Sequence, residues 1–105
     1  MYKRQGYGAA ALRGEVDRVR SAPVGQRNHT LNTSAYKLGQ LIAAGALGED
    51  RAVKALTVAA ESAGLEPAET AATIASGLTA GARRPRVIPT QQGTANNWAE
   101  SQAGL

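Results

Sequence analysis

Cysteine and phenylalanine are absent from this chain of 105 residues, and tryptophan and histidine occur once each. Without cysteine, neither a disulfide scaffold nor a cysteine-based zinc site is available. The single histidine has no second imidazole with which to share a metal ion, and no nucleophile lies beside a base at a suitable spacing. The sequence therefore predicts neither a metal centre nor a catalytic site, and we expect no cofactor within this chain.

Long apolar runs are also absent. The chain has no stretch of eighteen or more apolar residues that could cross a membrane, and no amino-terminal pattern typical of a signal peptide. We therefore expect no membrane partner and a cytoplasmic location. Because bulky aliphatic residues are few and spaced among many alanines, we expect a thin core in which helices approach closely.

Strand patterns are missing as well, since β-branched and aromatic residues nowhere alternate with polar ones. Four segments instead carry an apolar stripe at helical spacing, separated by short turns that contain glycine or proline. They begin near Gly8, Asn28, Gly48 and Pro67 and are ended by Pro23, Gly45, Gly64 and Pro85. Gly45 is expected to cap the second helix in a left-handed conformation.

Short turns place consecutive helices side by side in opposite directions. The sequence therefore predicts an all-α fold, a compact antiparallel four-helix bundle over residues 8–85. Residues 1–7 are predicted to be a flexible N-terminal segment, and residues 86–105, where the helical period vanishes, a disordered tail or linker. Gly39 and Gly77 lie inside predicted helices, where glycine costs about 1 kcal/mol relative to alanine, so each should mark a close contact between helices.

Charge is distributed unevenly along the chain. Residues 1–44 contain seven Lys and Arg against two acids, residues 45–82 two against five, and residues 83–105 three against one. This asymmetry indicates a basic end that faces phosphates and an acidic face turned towards water or a basic partner. A solvated surface with no binding role produces the same pattern.

The most informative stretch is PVGQRNHTLN, residues 23–32, which leads into the second predicted helix. Helix starts expose N–H groups that attract anions, and Arg27 adds a planar fork matched to phosphate oxygens. Asn28 and Asn32 are four residues apart, so both project from one helical face. Together they could hold phosphates while asparagine contacts a base edge or a sugar. Ordinary capping by Asn28 or Thr30, with Arg27 paired to a carboxylate, explains the same residues.

Glu15 and Asp17 form a closely spaced acid pair in the first predicted helix. Because positions two apart on a helix point away from each other, the pair is poorly placed to share a metal ion. Asp17 is better placed to bridge Arg13 and Arg20, and a surface ion pair is the favoured interpretation.

Two long blocks of the chain resemble a known family. They are YGAAALRGEVDRVRSAPVGQRNHTLNTSAYKLGQLIAAGAL and ALTVAAESAGLEPAETAATIASGLTAGARRPR, which together span about Tyr7 to Arg86. The most specific motifs are the A-A-L-x-x-E opening, the G-x-R-N-x-x-L-N-x-x-A-x-x-L-G-Q-L block and the closing I-A-S-G-L-x-A-G run. In these motifs the chain resembles the helical C-terminal domain of primase-polymerases, replication proteins of actinobacteria, their phages and plasmids.

The resemblance implies a bundle that helps to start primers by contacting single-stranded template DNA and an initiating nucleoside triphosphate such as ATP. Metal-binding carboxylates and nucleotidyl transfer belong to a separate N-terminal domain of the same polypeptide, so this chain is expected to be a non-catalytic part of a DNA primase-polymerase in a bacterial host cell. The candidate contacts to DNA or nucleotide that the resemblance implies, the last three as backbone support, are Arg27, Asn28, Asn32, Lys37, Arg18 and Arg20. A replicative helicase is a further partner that the family implies.

Two other functions stay open on the sequence alone. The chain could be a protein-interaction module that docks a replicative helicase or another replisome partner through its acidic 45–82 region. It could also be a small helix-turn-helix regulator, which requires a recognition helix with several outward polar side chains. The second predicted helix offers only Asn32, Lys37 and Gln40 for that purpose, so the regulator ranks last.

Overall fold

The computed structural model describes residues 2–85, with side chains from residue 6 onward. Its helices are α1 (Tyr2–Ser21), α2 (Arg27–Ala43), α3 (Glu49–Ser62) and α4 (Pro67–Ala82), and a short 3-10 turn, Val24–Gln26, precedes α2. No strand occurs in the described residues, and the predicted all-α bundle is confirmed. The predicted tail, residues 86–105, lies outside the described residues.

Most helix boundaries follow local signals in the sequence. Gly48 precedes α3, and Pro67 occupies the first position of α4, as predicted. Glu66 caps α4, because its carboxylate accepts a hydrogen bond from the Glu69 N–H at 3.1 Å. The capping carboxylate also lies where the helix dipole favours a negative charge.

The start of α1 differs from the prediction. The helix begins at Tyr2, so residues 2–7, predicted as a flexible segment, are helical in the structure. Gly8 lies inside this helix, at a position where a side chain would not fit. A Cβ on Gly8 would collide with the backbone carbonyl of Ala46, so the missing side chain lets α1 pack directly against the turn after α2.

Both α2 and α3 end in a Schellman motif. After α2, Gly45 has a φ of 80°, and the Ala46 N–H donates to the Leu41 carbonyl at 2.9 Å. The same pattern of bonds follows α3 at Gly64, whose φ is 91°. Glycine suits this left-handed conformation because it has no Cβ to clash with the backbone. The predicted cap at Gly45 is confirmed.

Small residues bring α2 and α4 together more closely than any other pair of described helices. A Cβ built on Gly77 of α4 would lie 2.6 Å from the Cβ of Ala35 in α2, which is closer than two carbon atoms that are not bonded to each other can approach. Gly39 of α2 lies equally tightly against the backbone of Leu78. The close helix contacts predicted at Gly39 and Gly77 are confirmed.

The contacts between α2 and α4 show that these two helices run in the same direction. Near their amino ends, the Thr73 hydroxyl bonds to Asn28, and past the carboxyl end of α4 the Gln40 amide donates to the Arg84 carbonyl at 3.0 Å. The tightest pair in the bundle is therefore a parallel pair of helices that are not consecutive in the chain.

The first two helices run in opposite directions, as the prediction requires of consecutive helices. Gly8, near the start of α1, lies against Ala46 after the end of α2, whereas Glu15, further along α1, bonds to Ser34 in the middle of α2. Later residues of α1 therefore contact earlier residues of α2, as in an antiparallel pair of helices.

The hydrophobic core lies where the four helices meet. Its large buried side chains come from every helix and are Leu12, Val19, Leu31, Leu38, Leu41, Leu56, Ile74 and Leu78. Buried alanines such as Ala35 and Ala60 fill the space between them, as the small-residue composition predicts. No helix within residues 2–85 is long and apolar enough to span a membrane.

Candidate functional site

The start of α2 is formed by a tight turn and has no side-chain cap. The Gln26 N–H donates to the Pro23 carbonyl at 2.8 Å, and the helix then begins at Arg27. Gln26 holds the N-cap position but makes no capping hydrogen bond through its side chain, and the first turn contains no acid. The alternative in which Asn28 or Thr30 caps α2 is therefore wrong. The positive end of the helix dipole has no compensating carboxylate of its own.

Arg27 extends from this helix start towards the turn between α3 and α4. A Cβ built on Gly64 would lie 3.3 Å from Arg27 Nη1, so the guanidinium passes directly beside that glycine. No carboxylate within residues 6–85 forms an ion pair with Arg27, so the alternative in which Arg27 pairs with a carboxylate is wrong as well.

The Nε atom of Arg27 is the unusual feature of this corner. It is buried and has no hydrogen-bond partner among the described residues, although the residue as a whole is only half-buried. An unpaired buried N–H costs on the order of 1–3 kcal/mol, because it loses its bond to water without gaining another. An acceptor oxygen that bonds to Nε itself would recover that cost.

Asn28 and Asn32 lie on the face of α2 that turns towards α4. The Thr73 hydroxyl donates to Asn28 Oδ1 at 2.8 Å, which orients the amide so that Nδ2 is the end directed away from α4. Asn32, one turn further on, is exposed and has no hydrogen bond from its side chain to another described residue. Both side chains therefore offer polar groups to solvent beside Arg27.

Thr70 adds a second unsatisfied polar group at the same end of the bundle. Its hydroxyl is buried without a hydrogen-bond partner in the described residues, and the residue is 1% exposed. Thr70 precedes Thr73 by one turn of α4, and Thr73 contacts the first turn of α2. Because Thr70 is closed to solvent, the groups open to a ligand at this end are those of Arg27, Asn28 and Asn32, whose N–H donors suit a ligand rich in acceptor oxygens.

Arg18 and Lys37 lie in a different environment. Both surround Glu15, which is only 7% exposed. Arg18 Nη1 donates to Glu15 Oε2, Lys37 Nζ lies 4.0 Å from the same oxygen, and the Ser34 hydroxyl donates to Oε1 at 2.8 Å. These two cations thus help to hold a buried carboxylate between α1 and α2.

The ion pair predicted for Asp17 is wrong, because Glu15 is the acid that pairs with the neighbouring cations. Asp17 is exposed and forms no ion pair with Arg13 or Arg20 in the described part of the chain. Glu15 takes that role because it faces α2, where Ser34 and Lys37 can reach it. Helix spacing puts the two acids on different faces of α1, and the packing of α1 against α2 decides which of them is buried.

Arg20 lies apart from the other candidate residues. It lines a groove between α1 and α3, where its neighbours include Arg51 and Lys54. The structure therefore divides the six predicted contacts into three groups, one at the start of α2, one around Glu15 and one in the groove. About 15 Å of helix separates Arg27 from Lys37 along α2, so a single phosphate cannot contact both.

Three residues at the candidate site escaped the sequence reasoning, namely Gly64, Thr70 and Thr73. Each belongs to the α3–α4 turn or to α4, and Thr73 is 45 positions from its partner Asn28. No local pattern could identify them, because their role depends on the parallel packing of α2 against α4.

The described residues contain no group of three or more His, Cys, Asp and Glu side chains arranged to hold a metal ion. Comparison of the chain with known protein families, with curated proteins and with solved structures found no match.

Proposed function

We propose that this chain is a non-catalytic helix-bundle domain of a replicative primase-polymerase. In this role the start of α2 binds a phosphate of the template strand or of the initiating nucleoside triphosphate during primer synthesis. The main support is the Arg27 side chain, whose buried Nε lacks an acceptor at a helix start that has no cap and no acid.

The chemistry of the corner agrees with a phosphate ligand. Arginine presents several N–H donors in one plane and binds phosphate oxygens through two of them at once. The N–H groups at the start of α2 add partial positive charge on the same side. In the proposed complex Asn28, which accepts a hydrogen bond from Thr73, and Asn32 contact the sugar or base that follows the phosphate.

The proposed role explains why a primase would use a second domain. Starting a primer requires two nucleotides to meet on a template without the stacking that a longer primer provides. A domain that holds one triphosphate and the template converts this encounter into a local one, which is an effect of proximity.

Arg18 and Lys37 retain side-chain exposures of 59% and 39%, so both remain accessible to the strand backbone.

Docking of a replicative helicase on the acidic 45–82 region is the less supported alternative. Three of the five acids there lie at helix starts, since Glu66 caps α4 and Glu49 and Asp50 lie in the first turn of α3. A pull-down with the helicase, compared with DNA binding by the same chain, separates the two proposals.

The direct test is an NMR titration of the ¹⁵N-labelled chain with ATP and with a single-stranded oligonucleotide. We expect amide shifts centred on residues 24–32 and on the amino end of α4. In the full-length primase-polymerase, Arg27→Ala should then reduce primer initiation while extension of an existing primer is kept.

The matched control for the activity assay is Arg13→Ala, which removes an exposed arginine of α1 that makes no ion pair within residues 6–85. Equal initiation by Arg27→Ala and by the unmodified protein contradicts the proposal. Shifts that avoid the start of α2 contradict it as well.

A further inference from the structure

A groove of about 560 Å³ runs along the surface between α1 and α3. Val16 of α1 and Ala55 and Ala59 of α3 contribute apolar surface to its lining. Val58 also lines it and is 65% exposed. Its exposure leaves an apolar surface that no described helix covers.

The α3 side of the groove is one continuous helical face. The residues that form it recur at intervals of three and four, and they are Arg51, Lys54, Ala55, Val58, Ala59 and Ser62. This face spans twelve residues, and its first and last residues are about 16 Å apart along the helix at 1.5 Å per residue. Three turns of a second helix have the same length.

Positive charge borders the apolar surface. Arg20 from the last turn of α1 and Arg51 and Lys54 from α3 all line the groove, and no acidic residue lines it. None of these cations forms an ion pair within residues 6–85, where the ion pairs involve Arg18 and Lys37. The groove therefore presents three unpaired cations beside a strip of aliphatic side chains.

We propose that this groove docks an acidic amphipathic helix of a partner protein. Aliphatic side chains of that helix pack against Val58 and the alanines, while its Asp and Glu residues pair with Arg20, Arg51 and Lys54. Charge complementarity and the three-turn length of the α3 face select this occupant. Nucleic acid is a poorer match because no aromatic side chain lines the groove to stack on a base. This docking role goes beyond the function proposed for the start of α2 and does not depend on it.

The test uses the full 105-residue chain, ¹⁵N-labelled, and a synthetic helical peptide of fourteen residues. The peptide carries leucine at positions 4, 7, 8 and 11 and glutamate at the flanking positions. We expect saturable amide shifts at Val16, Ala55 and Val58. A second peptide, with lysine in place of each glutamate, should bind at least roughly tenfold more weakly, because it meets three cations of its own sign.

Variants of the chain then locate the site. Arg51→Glu combined with Lys54→Glu, and separately Val58→Asp, should each weaken binding of the acidic peptide by roughly tenfold or more. The matched controls are Arg13→Glu, an exposed cation elsewhere on α1, and Val24→Asp, at a valine that is 76% exposed and outside the groove. Both controls should bind as the unmodified chain does, and circular dichroism checks that every variant is folded.

Several results overturn the proposal. One is the absence of saturable shifts at millimolar acidic peptide, and another is equal binding of the lysine peptide. Shifts in the groove caused by a single-stranded oligonucleotide, but not by the peptide, assign the groove to nucleic acid. Concentration-dependent dimerisation that Val58→Asp abolishes assigns it to a second copy of the chain.

Discussion

Gly77 of α4 lies so close to Ala35 of α2 that a Cβ at position 77 would be 2.6 Å from the alanine methyl group. This contact joins two helices that run parallel and are separated in the chain by α3. It also sets the position of the candidate site, because the same packing brings Thr73 to Asn28 in the first turn of α2.

Substitution of Gly77 by alanine tests this contact. Alanine favours a helix over glycine by about 1 kcal/mol, but the added methyl group must push α2 and α4 apart, and overpacking costs about 1–3 kcal/mol. We expect Gly77→Ala to lower the free energy of unfolding in chemical denaturation. The matched control is Gly14→Ala in α1, where a Cβ would meet nothing within 4 Å, and it should raise stability by about 0.5–1 kcal/mol. Stabilisation by both substitutions contradicts the close contact.

Substitution of Glu15 by alanine tests the buried carboxylate. The change leaves the Ser34 hydroxyl without its acceptor and removes the shared partner of Arg18 and Lys37. We expect a loss of about 2–3 kcal/mol in the free energy of unfolding. Asp17→Ala, two positions away on the exposed face of α1, should change stability by less than about 0.5 kcal/mol. Equal losses for the two variants contradict the assignment.

Gly64 has a left-handed backbone conformation and also lies beside Arg27 of the candidate site. Its φ of 91° strains any residue with a Cβ, and the added methyl group would also lie 3.3 Å from Arg27 Nη1. Gly64→Ala should therefore lower the free energy of unfolding by about 1–2 kcal/mol. Gly64→Asn should cost less, because asparagine tolerates the left-handed region better. A larger loss for asparagine than for alanine in the same denaturation experiment argues against backbone strain as the cause.

The Thr73 hydroxyl orients the Asn28 amide, and its removal tests whether that orientation matters for binding. We expect Thr73→Val to weaken ATP binding roughly threefold to tenfold, the effect of one lost hydrogen bond, with little change in stability. Thr79→Val, at an exposed threonine of the same helix, controls for the general effect of valine in α4. Isothermal titration calorimetry measures both affinities, and equal affinities count against a role for Asn28.

Binding of single-stranded DNA at Arg27 should depend on salt in a defined way. Each phosphate contact contributes about −0.7 to the slope of log affinity against log salt concentration. Arg27→Ala should therefore reduce the magnitude of that slope by about 0.7, measured by fluorescence anisotropy between low and moderate salt. Arg13→Ala is expected to leave the slope unchanged, and an unchanged slope for Arg27→Ala excludes a phosphate contact at that residue.

The sequence by itself determined the helices and most of their ends, because those signals are local. Pro67 at the first position of α4 and Gly45 and Gly64 after α2 and α3 each act through their own backbone conformation. The core alanines and leucines likewise follow from helical spacing within single segments.

Only the tertiary structure decided which polar groups meet. Glu15 is buried and Asp17 is exposed because one of them faces α2, and Thr73 reaches Asn28 because α2 and α4 run parallel. Arg20 lies apart from the other candidate residues because the packing of α1 against α3 places it beside Arg51. Contacts between residues far apart in the chain depend on how whole helices pack, and no short stretch of sequence contains that information.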